Sequence, residues 1–245
     1  MNMNGKVALV TGAAVGIGRA VAIRLSRLGA GVAITDIDAE GLDSVRREIE
    51  AQGGEVLSFV CDVCDETMVQ HVVEQTQQRM GRLDILINNA ALWKSFEGFT
   101  ETSTEKWRRY LDVNVMGVVH FTKAALPGML ENGYGRIVNV ASVAGVYGNG
   151  RMVAYSATKG AVISMTKALA KEVAAKGITV NCVSPGTVSP SENPDMNHTQ
   201  ETPTCYMGRT GSDNENANLI CWLASEESSY VCGENIQIDG CRKKL

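Results

Sequence analysis

Apolar residues along the chain follow two alternating patterns. Short runs in which most positions are apolar and many are β-branched recur at 6–11 (KVALVT), 31–36 (GVAITD), 55–62 (EVLSFVCD), 83–89 (LDILINN), 135–142 (GRIVNVAS), 178–184 (ITVNCVS) and 235–239 (NIQID). Strands that are apolar at successive positions are covered on both faces, as in a parallel sheet. Between the runs, apolar residues return every three or four positions, as in 18–29 (GRAVAIRLSRLG) and 161–177 (AVISMTKALAKEVAAKG), and glycine closes each segment as a helix stop. Parallel neighbours need such crossover helices. The pattern therefore predicts an α/β, Rossmann-like doubly wound parallel sheet of about seven strands with helices on both faces. No repeat, low-complexity tract or linker interrupts the rhythm, so residues 1–245 are expected to form a single domain.

Composition narrows the class. With 245 residues, 44% of them hydrophobic and 20% charged, the chain can bury one substantial core. A net charge of −4 and the lack of any Lys/Arg block leave no electrostatic footprint for phosphate backbones or anionic lipid. Neither nucleic acid nor a membrane is an expected partner. The apolar run before Thr11 is too short for a signal-peptide core, and no later run approaches a membrane span. Seven scattered cysteines fit reduced thiols in a cytoplasmic protein better than a disulfide framework.

In open parallel sheets ligands bind beyond the carboxyl ends of the strands, so the residues after each run carry the candidate chemistry. The first run leads into TGAAVGIG, with Gly12, Gly16, Ile17 and Gly18 at a turn into a helix. Glycines there let the backbone approach a pyrophosphate and aim the helix N-terminus at its charge. The spacing is G-x-x-x-G-x-G rather than G-x-G-x-x-G, and by itself it also suits a plain turn. The second run ends at Asp36, where a carboxylate can hydrogen-bond the adenosine ribose hydroxyls and repel a 2′-phosphate. No Arg or Lys lies in AAVGIG or directly after Asp36, so NAD is the expected cofactor and NADP the less favoured one. In AYSATKGA (154–161), Tyr155 and Lys159 stand four apart on one helical face. They suit proton transfer, or simply two side chains on a solvated helix.

Taken in order, TGAAVGIG, CDV at 61–63, NNAA at 88–91, NV at 114–115, Ser142, YSATK at 155–159, SPG at 184–186 and SSYVCGENIQIDG at 228–240 resemble the short-chain dehydrogenase/reductases. The resemblance spans nearly the whole chain. It is nearest the branch of 3-oxoacyl-carrier-protein reductases and NAD-dependent alcohol dehydrogenases. It implies that Asp62 and Val63 contact the adenine, that Asn89 and Ala90 line the cofactor groove, and that Pro185, Gly186, Thr187 and Val188 flank the nicotinamide. Tyr155 becomes the general acid/base of hydride transfer, its phenol lowered toward neutrality by Lys159 and the oxidised nicotinamide. Lys159 also holds the nicotinamide ribose, Ser142 orients the substrate oxygen, and Asn114 holds a water leading to Lys159. The helices of Asn114 and Tyr155 pair between subunits in such proteins, implying a homotetramer or a homodimer.

Other constellations are weaker. CDVC places Cys61 and Cys64 at the spacing of half a zinc site, but no second pair or nearby His completes it, and no metal is expected. His71, His120 and His198 lie on unrelated segments, and no G-x-S-x-G elbow supports a hydrolase. A non-catalytic dinucleotide sensor is the alternative class, disfavoured because Tyr155 and Lys159 are both present. Residues 187–210, polar and turn-rich, are expected to act as a substrate lid or loop. Trp93, Tyr147, Met152 and Tyr206 are candidate substrate residues, large surfaces suited to an apolar small molecule. Carrier-protein reductases carry basic residues near the entrance, where this chain has Glu131, Asn132 and Gly133. The expected reaction is therefore NAD-linked interconversion of a small secondary alcohol and its ketone, with 3-oxoacyl-carrier-protein reduction as the alternative.

Overall fold

The computed structural model describes residues 1–94, 96–188 and 195–243. Each apolar run forms a strand: β1 (Val7–Thr11), β2 (Gly31–Asp36), β3 (Val56–Val60), β4 (Ile85–Asn88), β5 (Gly135–Val140), β6 (Ile178–Pro185) and β7 (Asn235–Ile238). They make one sheet in the order β3-β2-β1-β4-β5-β6-β7, with every neighbouring pair parallel. The connecting helices are α1 (Gly16–Arg27), α2 (Ala39–Ala51), α3 (Glu66–Met80), α4 (Thr104–Leu111), α5 (Gly117–Asn132), the short α6 (Val143–Tyr147), α7 (Val153–Val173) and α8 (Asp213–Leu223).

Strand side chains alternate between faces, which explains why both parities are apolar. Ala8 and Val10 of β1, Val32 and Ile34 of β2, and Ile85 and Ile87 of β4 join α1, α2 and α8 in one core. Val7, Leu9, Ala33 and Leu86 join α3, α5 and α7 in the other. Phe121 of α5 is fully enclosed in that second core, so Phe121→Ala would cost about 3–5 kcal/mol through lost burial and the cavity left behind. Among the described residues no helix is long and apolar enough to cross a membrane.

Two features of this topology place the site. Strand order reverses between β1 and β4, so the chain leaves those two strands in opposite directions and opens a crevice above their carboxyl ends. Helix α5 then carries the chain back to the amino edge. There Gly133 closes the helix in the left-handed conformation, and Tyr134 lies beneath the ammonium of Lys6, with Nζ 3.5 Å from the ring centre. Glu131, Asn132 and Gly133 are thus at the edge opposite the crevice of their own chain. That corrects the expectation that they border its entrance. In the segment 187–210, residues 189–194 lie outside the described residues. The described remainder contains no helix; backbone bonds from Tyr206 N to Cys241 O (3.0 Å) and from Lys243 N to Thr204 O (2.9 Å) bind it to the C-terminal segment.

Candidate active site

The glycine turn after β1 is held by groups that the strand ends supply. Thr11 Oγ1 accepts hydrogen bonds from the backbone N–H of Asn89 (3.0 Å) and of Ala90 (3.1 Å), and Asn89 Nδ2 donates to Thr11 O (3.0 Å) and Gly12 O (2.9 Å). Gly12 has φ +64°, and a Cβ there would stand 2.7 Å from Ala90 Cα. The position excludes a side chain on both counts. Helices α2, α3, α4 and α8 begin at the side-chain caps Asp38, Asp65, Ser103 and Ser212, whereas α1 begins at Val15 with no side-chain cap. The first-turn N–H groups of α1, from Gly16 to Gly18, have therefore been left for another acceptor. A tight glycine turn under an uncapped helix N-terminus fits a pyrophosphate. At the end of β2, Asp36 Oδ2 accepts from Ala14 N (3.0 Å) and Oδ1 from Asp38 N (3.2 Å), fixing a carboxylate beside that turn.

A second cluster forms where β5 ends. Ser142 is the N-cap of α6, its Oγ accepting from Ala144 N at 3.1 Å, and its hydroxyl is near enough to the Tyr155 phenol to act on its acidity. Tyr155 lies in the first turn of α7, with Lys159 one turn further on, so the spacing does place both on one helix face. Lys159 is 3% exposed, and its Nζ donates to Val140 O (2.7 Å) and stands 5.8 Å from the Tyr155 ring centre. Burial lowers the Lys159 ammonium to about 8. In the chain by itself, burial pushes the phenol above the ordinary tyrosine value, with Ser142 acting the other way. The chain alone thus favours the protonated phenol.

Asn114 lies in a π-helical turn, Asp112–Met116, that joins α4 to α5. Its fully buried amide donates to Leu92 O (3.0 Å) and Thr158 Oγ1 (3.1 Å), while its Oδ1 accepts from Leu92 N (2.7 Å). The amide clamps the chain leaving β4 onto α7.

The remaining expected residues spread along the same carboxyl edge. Asp62 accepts from Cys64 N (3.0 Å) and Arg109 Nη2 (3.2 Å); burial acts to raise its carboxyl, but these bonds hold it below the usual range. Val63 O meets His120 Nδ1 at 2.9 Å. Gly186 donates to Ile238 O (2.9 Å), and a Cβ there would meet Asp239 at 2.8 Å; Pro185 ends β6, Thr187 O accepts from Gly211 N, and Val188 bridges to Gly211. Of the candidate substrate residues, Trp93, Tyr147 and Tyr206 are exposed, with the Lys243 ammonium 5.4 Å from the Tyr206 ring centre. Tyr147 donates to Gln237 Oε1 on β7 (2.5 Å), and Met152 is buried as the N-cap of α7. Burial raises the thiols of Cys61 and Cys64 to about 11, and among the described residues no three His, Cys, Asp or Glu side chains gather as a metal site. Sequence reasoning passed over Thr11, Thr158 and Arg109. Thr11 carried a signal, as the hydroxyl directly before the glycine turn.

Residues 6–201 match the family described as short chain dehydrogenase. The chain is 41% identical over 243 residues to the 3-oxoacyl-acyl-carrier-protein reductase of Thermotoga maritima, covering 98% of each chain. It is 36% identical over 244 residues to the NAD(+) 2-dehydro-3-deoxy-L-rhamnonate dehydrogenase of a Sphingomonas species, covering 97% of this chain and 95% of that one. The crystal structure of NAD+-bound xylitol dehydrogenase superposes with a TM-score of 0.90 at 33% identity, covering 98% of this chain and all of the other.

Proposed function

The chain belongs to the short-chain dehydrogenases, oxidoreductases that act on CH–OH groups with NAD(P), and on that premise we propose that it interconverts a small secondary alcohol and its ketone with NAD(H). The nicotinamide, when bound, supplies or accepts the hydride. Tyr155 exchanges the proton of the substrate oxygen, and Ser142, whose hydroxyl acts on that phenol, holds the oxygen in place. Lys159, lowered to about 8 by burial, is mostly ammonium at neutral pH and half deprotonated near pH 8. Its charge favours the phenolate that alcohol oxidation requires, against the burial that favours the phenol. Asn114 positions the segment after β4 against α7.

For the cofactor we assign Gly12, Gly16, Ile17 and Gly18 to the pyrophosphate and Asp36 to the adenosine ribose. Asp62 and Val63 meet the adenine, Asn89 and Ala90 the groove, and Pro185, Gly186, Thr187 and Val188 the nicotinamide. Asp36 supports NAD over NADP, because a 2′-phosphate would meet it as a like charge. Helices α5 and α7 are assigned to contacts within a homotetramer or homodimer.

The observation that carries this reading is the meeting of a phenol, a hydroxyl and a buried ammonium beside an uncapped, glycine-lined helix N-terminus. Tyr155→Phe should abolish turnover in an NADH-absorbance assay while leaving NADH affinity nearly intact, because the ring packs alike and only the exchangeable proton is lost. Turnover within tenfold of the parent removes Tyr155 from the role. A second reading, 3-oxoacyl-carrier-protein reduction, is favoured by the 41% identity to such a reductase. Catalytic efficiency on a 3-oxoacyl thioester against simple cyclic and aryl ketones separates the two.

A further inference from the structure

Arg151 is an exposed non-glycine residue with φ +62°, in the left-handed region that glycine takes without cost. It sits in a turn that already holds Gly148 and Gly150, between α6, which Ser142 caps, and α7, which carries Tyr155. Side chains kept in this conformation are retained by something other than backbone preference. The guanidinium crosses to the opposite rim of the site, where Nη2 donates to Phe96 O at 3.2 Å on the segment that leaves β4. A neutral carbonyl satisfies one of its five donors. Among the described residues no carboxylate lies within ion-pair distance of it. The acidic groups of the facing segment are already engaged: Glu97 with Lys106 Nζ at 2.6 Å, and Glu101 with Gly98 N at 2.8 Å.

We infer that Arg151 is a specificity-determining residue that receives a carboxylate carried by the substrate, so that the alcohol or ketone is a hydroxy acid or oxo acid. The inference rests on the reading of Tyr155 and Ser142 as the reacting site and adds the charge of what they act on. A planar guanidinium with donors to spare is the natural partner for a planar carboxylate, through two parallel N–H···O bonds. The bond to Phe96 O sets the fork across the opening between the two rims. A single guanidinium matches the single charge of a carboxylate better than a phosphate dianion, which calls for further cations or a nest of backbone N–H groups.

The test compares 4-oxopentanoate with 4-oxopentanamide, which differ in charge and little in shape, on the wild type and on Arg151→Gly and Arg151→Lys. Glycine suits the backbone at this position, so Arg151→Gly is expected to unfold at a higher temperature than the parent. The wild type should favour the carboxylate, and the carboxylate-to-amide ratio of kcat/KM should fall at least tenfold in Arg151→Gly through KM, with Arg151→Lys between. A ratio that does not change overturns the inference while leaving hydride transfer intact. If neither ketone is reduced, the hydride-transfer reading is in question. Calorimetric titration of the NADH-saturated protein with both compounds then decides about Arg151. Affinity for the carboxylate that is no better than for the amide, or that is equal in the wild type and Arg151→Gly, overturns it.

Discussion

Lys159 supplies a prediction in which a stability difference vanishes as pH rises. Its ammonium is enclosed with one hydrogen bond, to Val140 O at 2.7 Å, and no carboxylate is among the groups acting on it. Burial takes it from 10.5 to about 8. Between those values the unfolded chain holds a proton that the folded chain has released, so the stability of the wild type rises as pH climbs through that window. Below about pH 8 the full penalty remains, roughly 3 kcal/mol; by pH 10 it has shrunk to roughly 1 kcal/mol. Lys159→Met keeps the volume and removes the charge, at the cost of about 1 kcal/mol for the carbonyl left without its donor. The variant should therefore be the more stable protein by about 2 kcal/mol at pH 7, and the two should converge near pH 10. The Cys182 thiol, which the Lys159 charge acts to lower, is held up at about 11 by burial and so titrates above the range compared. Urea unfolding followed by circular dichroism at pH 7, 8, 9 and 10, at one protein concentration, measures it. A difference that stays constant with pH, or a wild type that is more stable at pH 7, would refute the argument that Lys159 is a buried charge held against its solvation. The same variant should lose turnover.

Three further outcomes follow from the geometry. Asp36→Ala should narrow the preference for NAD over NADP measured as a ratio of kcat/KM, and should cost about 1 kcal/mol in unfolding because Ala14 N and Asp38 N lose their acceptor; an unchanged ratio contradicts the placement of Asp36. Gly12→Ala should weaken NADH binding at least tenfold by fluorescence titration and lower stability, since the new Cβ would press on Ala90 Cα from a backbone at φ +64°; ordinary binding rules out close approach there. Asp213 is buried at the start of α8 and raised to about 6 by burial, so the folded state gains stability as pH falls through 6 toward 4. Asp213→Asn should therefore be more stable than the parent by up to about 3 kcal/mol at pH 7 and no more stable at pH 4, and an equal gain at both pH values would sink the reading.

Much of this was legible because a parallel sheet leaves a strong trace. Strands buried on both faces must be apolar at successive positions, and each of the runs read that way is a strand, with Asp36 and Asn88 ending β2 and β4. The i, i+4 spacing likewise put Tyr155 and Lys159 on one face of α7. What the chain did not disclose depends on contacts distant in sequence. Asn114 reads as a polar interruption of an apolar helix; only folding reveals that Leu92 and Thr158 complete its amide. The ordering of pKa effects at Tyr155 was hidden for the same reason, since burial is set by all the elements around the ring. Glu131 was misplaced because a linear reading shows that a residue precedes β5 without showing which edge of the sheet it has reached.

The two edges of the sheet treat buried charge differently, and the difference locates the chemistry independently of any motif. At the amino edge, Asp84 accepts from Val7 N and from Arg82, while Arg136 bonds Gly135 O, Gly177 O and Glu226 and stacks against the ring of Tyr134. Each of these charges is enclosed and each is compensated, which is how an interior charge is ordinarily tolerated. At the carboxyl edge, Lys159 holds a single carbonyl, and Asp213 feels little beyond the field of Arg19. The same edge carries the left-handed Arg151, the left-handed Gly12 and the uncapped start of α1. A fold able to pair its charges at one edge has the means to pair them at the other. Concentrating the uncompensated ammonium, the raised carboxyl, the strained arginine and the open N–H groups around one crevice makes sense if a bound dinucleotide and its substrate complete them.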